Sequence, residues 1–293
     1  MLFISQLING LQLGSIYALV ALGYSMVYGI VKLLNFAHGD IIMVGGYIAL
    51  FSLTLFNFSP IVAALITVGG CTLLAIIIEK LAYTPLRYAP RLSLLITAIG
   101  ISILLQNLAQ LIFGADGASF PASRLLPMGS VAFAGGSISY RAIITIVVSI
   151  ISMAILTILV QKTKLGKAMR AVSEDTGAAQ LMGINVNHVI TFTFAVGAFL
   201  AGVGALLYSV QFPLIMPTTG AMLGLTAFVA AVLGGIGSIP GAMVGGYLVG
   251  LLEILVVAVG LDRWTDGAVF LILILVLMIR PTGIMGRPMI EKV

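Results

Sequence analysis

Apolar runs of about 20 residues follow one another along almost the whole chain, and they restrict the possible fold more than any other feature of the sequence. A helix needs about 20 apolar residues to cross the hydrocarbon layer of a bilayer, whereas a transmembrane β-barrel is built from alternating segments of roughly ten residues. Because 61% of the 293 residues are hydrophobic and only 8% are charged, the chain has too little polar surface for a soluble protein. The sequence therefore predicts an all-α, polytopic transmembrane helical bundle.

Gly, Pro and charged residues divide the apolar runs into about eight to nine predicted spans within a single transmembrane domain, residues 1–293. The apolar segment at the N-terminus has no basic region and no small-residue cleavage site, so we expect it to be retained as the first span. The predicted spans cover residues 7–30, 41–58, 60–79, 92–113, 141–161, 189–211, 222–237, 241–260 and 267–280.

The basic residues are divided unequally between the two sides of the predicted bundle. If the N-terminus lies outside the cell, the cytoplasmic side receives Lys32, Lys80, Arg87, Arg91, Lys162, Lys164, Lys167, Arg170, Arg280, Arg287 and Lys292, and the outer side receives Arg124, Arg141 and Arg263. Cytoplasmic loops carry an excess of Lys and Arg, so we predict a multi-pass protein with its N-terminus outside and its C-terminus in the cytoplasm. The same residues contact anionic lipid in such loops, so the basic charge does not call for a nucleic-acid partner.

Glycines fall on one face of several predicted spans, most densely after Gly197 and after Gly234. Small residues let the backbones of two helices approach closely in lipid, and packing is the role that we expect for most of these glycines. The alternative is that they interrupt helices and expose backbone groups to a substrate. The stretch Gly234–Gly241, which reads GGIGSIPG, combines Gly and Pro so densely that it predicts a turn or an unwound segment.

The chemistry of an enzyme is absent from the sequence. No G-x-x-x-x-G-K-[ST] phosphate loop and no G-x-S-x-G nucleophile motif occurs, so the chain has no ATP-binding site of that type and no hydrolase signature. The two histidines, His38 and His188, are far apart and lack the companion ligands of a metal site. The single cysteine, Cys71, excludes an internal disulfide. We therefore predict a transport or scaffold component with no bound cofactor or metal.

Few ionisable residues lie within the predicted spans, and Glu253 is the one placed well inside. An intramembrane carboxylate either lines a pathway or pairs with a neighbouring helix, and the sequence leaves both readings open. Gln106 and Asn107 are weaker candidates, because amides commonly bond across helices for structural reasons alone.

The one long charged segment is the loop of residues 162–188. A helix over Leu165–Met182 would carry an apolar stripe flanked by charged residues, and Gly183 would end it by adopting a left-handed conformation. Such a helix is about 27 Å long and too polar to cross the bilayer. We predict that it docks in a groove on another protein; the alternative is an amphipathic helix that lies on the membrane surface. The stripe comprises Leu165, Met169, Val172, Thr176 and Ala179.

Four separate segments resemble the permease subunits of bacterial ABC importers for branched-chain amino acids, and they look most like the smaller, H-type subunit. These segments are Asn9–Asp40, Lys164–Asn185, Gly224–Gly246 and Arg280–Gly286. The resemblance covers essentially the whole chain. Permeases of the related urea and amide importers share NFAHG-like and GGIGS-like segments, so the motifs specify the family better than they specify the substrate.

The resemblance implies a pore made with a longer M-type permease, two cytoplasmic ATPase subunits that hydrolyse ATP, and a periplasmic amino-acid-binding protein. It places the ATPase-coupling motif of the family on Gly166, Arg170, Glu174, Asp175, Ala178 and Gly183. This sequence reads Glu-Asp-Thr at residues 174–176, where the broader importer signature has Glu-Ala-Ala. For a leucine-like zwitterion we expect a weakly polar path, with Asn35, Phe36 and His38 near its cytoplasmic end and Glu253 deeper.

Two other classes of function remain as alternatives. An ion-coupled secondary transporter predicts several intramembrane carboxylates in one chain, and only Glu253 is placed in that way. A membrane scaffold without transport predicts no substrate-dependent ATP hydrolysis after reconstitution with partners. Within the importer class, a urea or short-chain amide permease is the alternative substrate assignment.

Overall fold

The computed structural model describes residues 2–87, 89–133 and 136–286, and it is a bundle of helices as the sequence predicts. Each of the nine predicted spans coincides with a helix among the described residues. Six helices are long and apolar enough to cross a membrane, whereas α2 and α10 are shorter apolar helices and α12 has 15 residues. The helices are α1 (Leu2–Val31), α2 (His38–Thr54), α3 (Pro60–Ile78), α4 (Arg91–Phe113), α5 (Ala122–Leu125), α6 (Tyr140–Lys162), α7 (Lys164–Glu174), α8 (Thr176–Leu181), α9 (Val186–Gln211), α10 (Thr219–Gly234), α11 (Ile239–Ala258) and α12 (Thr265–Ile279).

Short irregular elements join these helices. A π-helical turn, Glu79–Tyr83, extends α3, and a single 3₁₀ turn, Asp262–Trp264, precedes α12. Two small antiparallel sheets complete the described structure: β1 (Ala118–Ser119) pairs with β4 (Leu214–Ile215), and β2 (Ser130–Phe133) pairs with β3 (Gly136–Ser139). Strands β1, β2 and β3 belong to the segment between α4 and α6, and β4 belongs to the segment between α9 and α10.

Helix α1 forms the centre of the bundle. All of residues 12–27 are buried, and the helix packs against α6, α9, α10 and α11. In contrast, α3, α4 and α6 expose most of their apolar side chains, which is the arrangement expected for helices that face lipid or another subunit. A sequence-based assignment of spans does not distinguish these two kinds of helix, because both are apolar throughout.

Helix α11 lies against α1 and α10 through glycines on two of its faces. A Cβ atom at Gly250 would overlap the backbone of Gly14, and one at Gly245 would overlap the carbonyl of Ala230. This contact confirms the prediction that glycines serve close helix packing. The stretch predicted as a turn or unwound segment is confirmed as well, because Gly235 and Gly237 adopt φ values of 109° and 90° between α10 and α11.

The basic residues lie at the two ends of the bundle as the charge count predicts. We define the loop side as the end that carries α7 and α8; the nine described residues of the larger group belong to helix ends or loops on this side, whereas Arg124, Arg141 and Arg263 lie at the opposite end. Arg124 donates to the Leu53 carbonyl at the end of α2. Arg287 and Lys292, which also belong to the larger group, lie outside the described residues.

Helices α2 and α10, which overlap the predicted spans at 41–58 and 222–237, begin inside the bundle and have only 17 and 16 residues. Their first turns meet: a Cβ atom at Gly39 would overlap the carbonyl of Gly220 and lie 2.7 Å from the Gly224 Cα atom. From this point α2 runs towards Arg124 at the opposite end, and α10 runs towards the loop side, where Gly237 contacts Gly29. Each is a helix of about 25 Å that follows a non-helical segment.

The close approach of α11 to α1 gives a direct test of packing. We expect Gly250→Ala to destabilise the protein by about 1–3 kcal/mol, since the added methyl group overpacks a backbone contact. The matched control is Gly69→Ala in α3, where no heavy atom lies within 4 Å of the added Cβ atom. Thermal unfolding in detergent measures both, and equal midpoints for the two variants would contradict the packing role.

Candidate functional site

The charged loop folds as two helices rather than the single helix predicted over Leu165–Met182. Asp175 interrupts the helix with φ −154° and ψ 108°, and its side chain accepts a hydrogen bond from the Ala178 backbone N–H at 2.9 Å. Asp175 is thus the N-cap of α8, a position that aspartate favours over the interior of a helix. Thr163 caps α7 in the same way by accepting from the Gly166 N–H. The predicted continuous length of 27 Å is wrong for this reason.

The apolar stripe of the loop faces the protein. Met169, Val172 and Ala179 are buried, because α7 packs against α1, α6 and α9, whereas Leu165 and Thr176 are exposed. The buried part of the stripe therefore anchors the loop to its own bundle. It is not available to fill a groove on a partner, contrary to the expectation from the sequence.

The outward surface of the loop is formed by other residues. Arg170, Glu174, Asp175 and Ala178 are exposed, although Arg170 also donates to the Val160 carbonyl of α6. Gly166 is buried, and a Cβ atom there would overlap the carbonyls of Leu159 and Val160. Gly166 thus permits the tight turn from α6 to α7, while the other four residues belong to the exposed surface.

An apolar tip at the end of α8 was missed by the sequence analysis. Leu181 is 92% exposed and Met182 is 83% exposed. Gly183 holds this tip by ending α8 with φ 80° in a Schellman motif, in which its N–H donates to the Gln180 carbonyl and the Ile184 N–H donates to the Ala179 carbonyl. The predicted helix stop at Gly183 is confirmed.

A buried ion pair connects this loop to the membrane helices. Glu79 in the π-helical turn is fully buried and accepts from Arg87 at 2.6 Å and from Thr84 at 2.8 Å. Its second oxygen accepts from Thr191 in α9 at 2.8 Å. Arg87 also donates to Asn187 at the start of α9. We call Glu79, Thr84, Arg87, Asn187 and Thr191 the clamp; it ties the segment between α3 and α4 to the helix that follows α8.

A cavity of about 790 Å³ opens beside the clamp on the loop side. Its wall combines the end of α1 at Val31, the start of α4 at Leu94, and Gln180 of α8. The cavity lies between α8 and the loop-side ends of α1 and α4, and α8 packs chiefly against α7 and α9.

The predicted path residues Asn35, Phe36 and His38 lie together on the segment that leads into α2. Asn35 is buried and accepts from the Tyr83 hydroxyl at 2.9 Å. Phe36 packs on Phe228 with ring centroids 5.7 Å apart. His38 is buried with its ring 4.9 Å from that of Tyr24.

Glu253, the fourth predicted path residue, lies elsewhere in the bundle. Its carboxylate accepts from the Tyr17 hydroxyl at 2.9 Å, between α11 and α1. Tyr17 and Tyr24 are seven residues apart, or about 10 Å along α1, so Glu253 and His38 occupy different levels. This hydrogen bond is the helix pairing that the sequence analysis left open as one of two readings.

Asp40, like Glu79, is a buried carboxylate that sequence reasoning missed, in this case because the span was assigned from residue 41 onwards. It is fully buried in the first turn of α2, and its Oδ1 atom accepts from Gln106 Nε2 of α4 at 3.1 Å. Gln106 thus bonds across helices, whereas Asn107 is exposed and donates only to the Ile103 carbonyl of its own helix. A helix start placed inside the bundle would have been needed to find Asp40.

Comparisons with known proteins agree with this architecture. The model of the family described as "Branched-chain amino acid transport system / permease component" matches residues 6–278. The chain is 45% identical to the high-affinity branched-chain amino acid transport system permease protein BraD of Pseudomonas aeruginosa, with 99% of this chain and 98% of that protein covered. It is 41% identical to LivH of Escherichia coli over the same shares, and 33% identical to a probable LivH of Methanocaldococcus jannaschii over 93% and 89%.

The clamp predicts a large effect of one substitution. Arg87→Ala leaves the buried Glu79 carboxylate without its counter-charge, and we expect a loss of about 3–5 kcal/mol of stability. Lys80→Ala removes a neighbouring exposed cation and is the control. Unfolding in detergent compares the two variants, and the apolar double variant Glu79→Met with Arg87→Met should recover most of the loss. A similar, small effect of Arg87→Ala and Lys80→Ala would show that the pair does not hold these segments together.

Proposed function

The chain belongs to the family of permease components of branched-chain amino acid transport systems, and from this premise we propose that it forms, with a second permease, the path by which leucine, isoleucine and valine cross the bacterial inner membrane. The observation that carries the proposal is the similarity over nearly the full length to permease proteins that are named for this transport. A helical bundle with a central buried α1 and largely exposed outer helices fits a subunit of a larger membrane assembly.

We propose that separate ATPase subunits supply the energy, since the sequence contains no phosphate loop. They dock on the outward surface of α7 and α8, which carries Arg170, Glu174 and Ala178 beside the apolar tip of Leu181 and Met182. An exposed apolar tip on a loop that also exposes charged residues has the composition of an interface centre with a polar rim. The loop side is then cytoplasmic, and the N-terminus lies outside, as the excess of Lys and Arg indicates.

The clamp suggests how docking is coupled to the path. Closure of the ATPase dimer displaces α8, and α9 follows because it is joined to α8 by only a few residues. Thr191 and Asn187 of α9 are bonded to Glu79 and Arg87, so the displacement reaches the segment that leads into α4. In this proposal α4 changes its packing, and alternating access results.

The remaining partner is a periplasmic amino-acid-binding protein that delivers the substrate. The surface available to it on the opposite side is formed by the loop from Ala115 to Tyr140 together with Asp262 and Asp266. High affinity for the amino acid belongs to this soluble protein, because a path must release its substrate after each cycle.

Reconstitution tests the substrate class. The chain is purified with the permease and ATPases that co-isolate, placed in vesicles, and supplied with candidate binding proteins loaded with leucine, urea or acetamide. We expect ATP hydrolysis and uptake to rise several-fold with the leucine-loaded protein only. Stimulation by urea or acetamide would assign the chain to the related importers, and leucine uptake by the chain alone that stops when ion gradients are dissipated would identify a secondary transporter.

The docking surface makes a second prediction. Leu181→Asp with Met182→Asp should reduce co-purification of the ATPase subunits at least tenfold, since two charges replace the apolar centre of the contact. The charge-reversal variant Glu174→Lys with Asp175→Lys should weaken it as well, and it additionally removes the cap of α8. Leu261→Asp, an exposed leucine at the opposite end of the bundle, is the control. Normal ATPase association of the Leu181 and Met182 variant would reject this surface.

A further inference from the structure

Asp40 lies where two helix N-termini meet inside the membrane bundle. It belongs to the first turn of α2, and a Cβ atom at Gly220 in the first turn of α10 would lie 2.8 Å from its Oδ1 atom and 2.7 Å from its Cα atom. The N-terminal end of a helix carries a partial positive charge, which favours a nearby carboxylate in its ionised form. Two such ends therefore stabilise negative charge at this point.

The contacts of Asp40 place it inside the bundle, away from the ends of the neighbouring helices. The ring of His38, two residues before Asp40, lies beside that of Tyr24 in α1. Tyr24 is seven residues before the loop-side end of α1 at Val31, which is about 10 Å along the helix. On α4, Gln106 is about 10 Å from the opposite end of that helix by the same reckoning. Asp40 is therefore distant from both ends of the bundle. A carboxylate inside the membrane is costly, so it is retained for a function.

The carboxylate is only partly satisfied by the protein. Its Oδ1 atom accepts from Gln106, but its Oδ2 atom is buried and has no hydrogen-bond partner within the described residues. The Nε2 atom of His38, which is also buried, lacks a partner in the same part of the chain. A buried oxygen without a donor costs free energy unless another molecule supplies the donor. The Oδ2 atom of Asp40 is therefore available to accept a hydrogen bond from a ligand.

The chemistry of this position selects an ammonium group. No group of three or more His, Cys, Asp or Glu side chains that could hold a metal ion occurs among the described residues. A primary ammonium group carries one charge and three donors, so it is satisfied by one carboxylate and neighbouring neutral acceptors. Leucine, isoleucine and valine each carry this group, and it needs a counter-charge in the membrane interior.

Helix α4 covers the carboxylate and is the span that is held most loosely. Most of its side chains are exposed, and it packs chiefly against α2 and the π-helical turn. Movement of α4 would withdraw Gln106 and open Asp40. The clamp lies at the base of this helix, so the cover is connected to the loop on which the ATPase is proposed to dock.

We propose that Asp40 receives the α-ammonium group of the amino acid as it crosses the membrane, and that Gln106 covers this carboxylate in the closed conformation. The inference rests on the proposed function, because it names a substrate contact of that transport. It assigns to Asp40 a role that does not extend to Glu253, whose carboxylate is already bonded to Tyr17.

The complete reconstituted complex tests the inference with Asp40→Asn. The amide is nearly isosteric with the carboxylate, and its oxygen still accepts from Gln106. We expect stimulation of ATP hydrolysis by the leucine-loaded binding protein to stay within about twofold of the wild type, while leucine uptake per ATP falls at least tenfold. Asp40→Glu, which restores the charge, should recover part of the uptake. Unchanged uptake by Asp40→Asn, or failure of this variant to assemble, would overturn the inference, since the carboxylate would then be dispensable or purely structural.

A second variant tests the cover. Gln106→Ala should increase the ATP-independent leak of leucine from loaded vesicles several-fold, because the carboxylate is no longer covered. Asn107→Ala removes the adjacent exposed amide and should leave the leak unchanged. An equal leak in the two variants would count against the cover. Failure of the wild-type complex to transport leucine would reject the proposed function, whereas wild-type transport with equal uptake by Asp40→Asn would reject the inference alone.

Discussion

The close approach of α11 to α1 is the contact on which the arrangement of the bundle depends. Lipid offers little hydrophobic drive for one apolar helix to bind another, so association relies on van der Waals contact between backbones. Glycines supply that contact on two faces of α11, towards Gly14 of α1 and towards Ala230 of α10. Because α10 is fixed in this way, its first turn is held against Gly39 of α2. The position of Asp40 follows from a series of small-residue contacts.

The non-helical segments that precede α2 and α10 are subject to a constraint that the membrane imposes on all irregular backbone. Irregular backbone is tolerated at membrane depth only where protein or water covers it. The segment before α2 meets this condition at Asn35 and Ala37, which are buried on the loop side. The segment before α10 meets it only in part, because Ile215 is buried whereas most of its neighbours are exposed. These segments free two helix N-termini within the bundle, and partial charges that normally face water are thereby directed into the protein interior.

The sequence predicts the architecture well and its interruptions poorly. Long apolar runs are sufficient to locate the nine apolar helices α1–α4, α6 and α9–α12, and dense Gly and Pro are sufficient to locate the turn before α11. The break at Asp175 was missed because an apolar stripe at helical spacing continues through it. Asp175 is nevertheless a residue type that favours the N-cap position, and its side chain accepts from the Ala178 N–H three residues later. Asp40 was missed since hydropathy marks where apolar residues begin, and the first turn of α2 is made of His, Gly and Asp. Contacts between distant residues, such as Glu79 with Thr191, have no local signal in the sequence.

The π-helical turn at Glu79–Tyr83 makes the segment before α4 sensitive to chain length. A π-turn contains one residue more than an α-turn, and the Thr84 N–H accordingly donates to the Glu79 carbonyl five residues earlier. Loss of a single residue here would restore α-helical geometry and rotate the following chain by about 100° around the axis. Thr84 and Arg87 would then point away from Glu79. Insertions and deletions at this turn should consequently be selected against far more strongly than conservative replacements of its side chains.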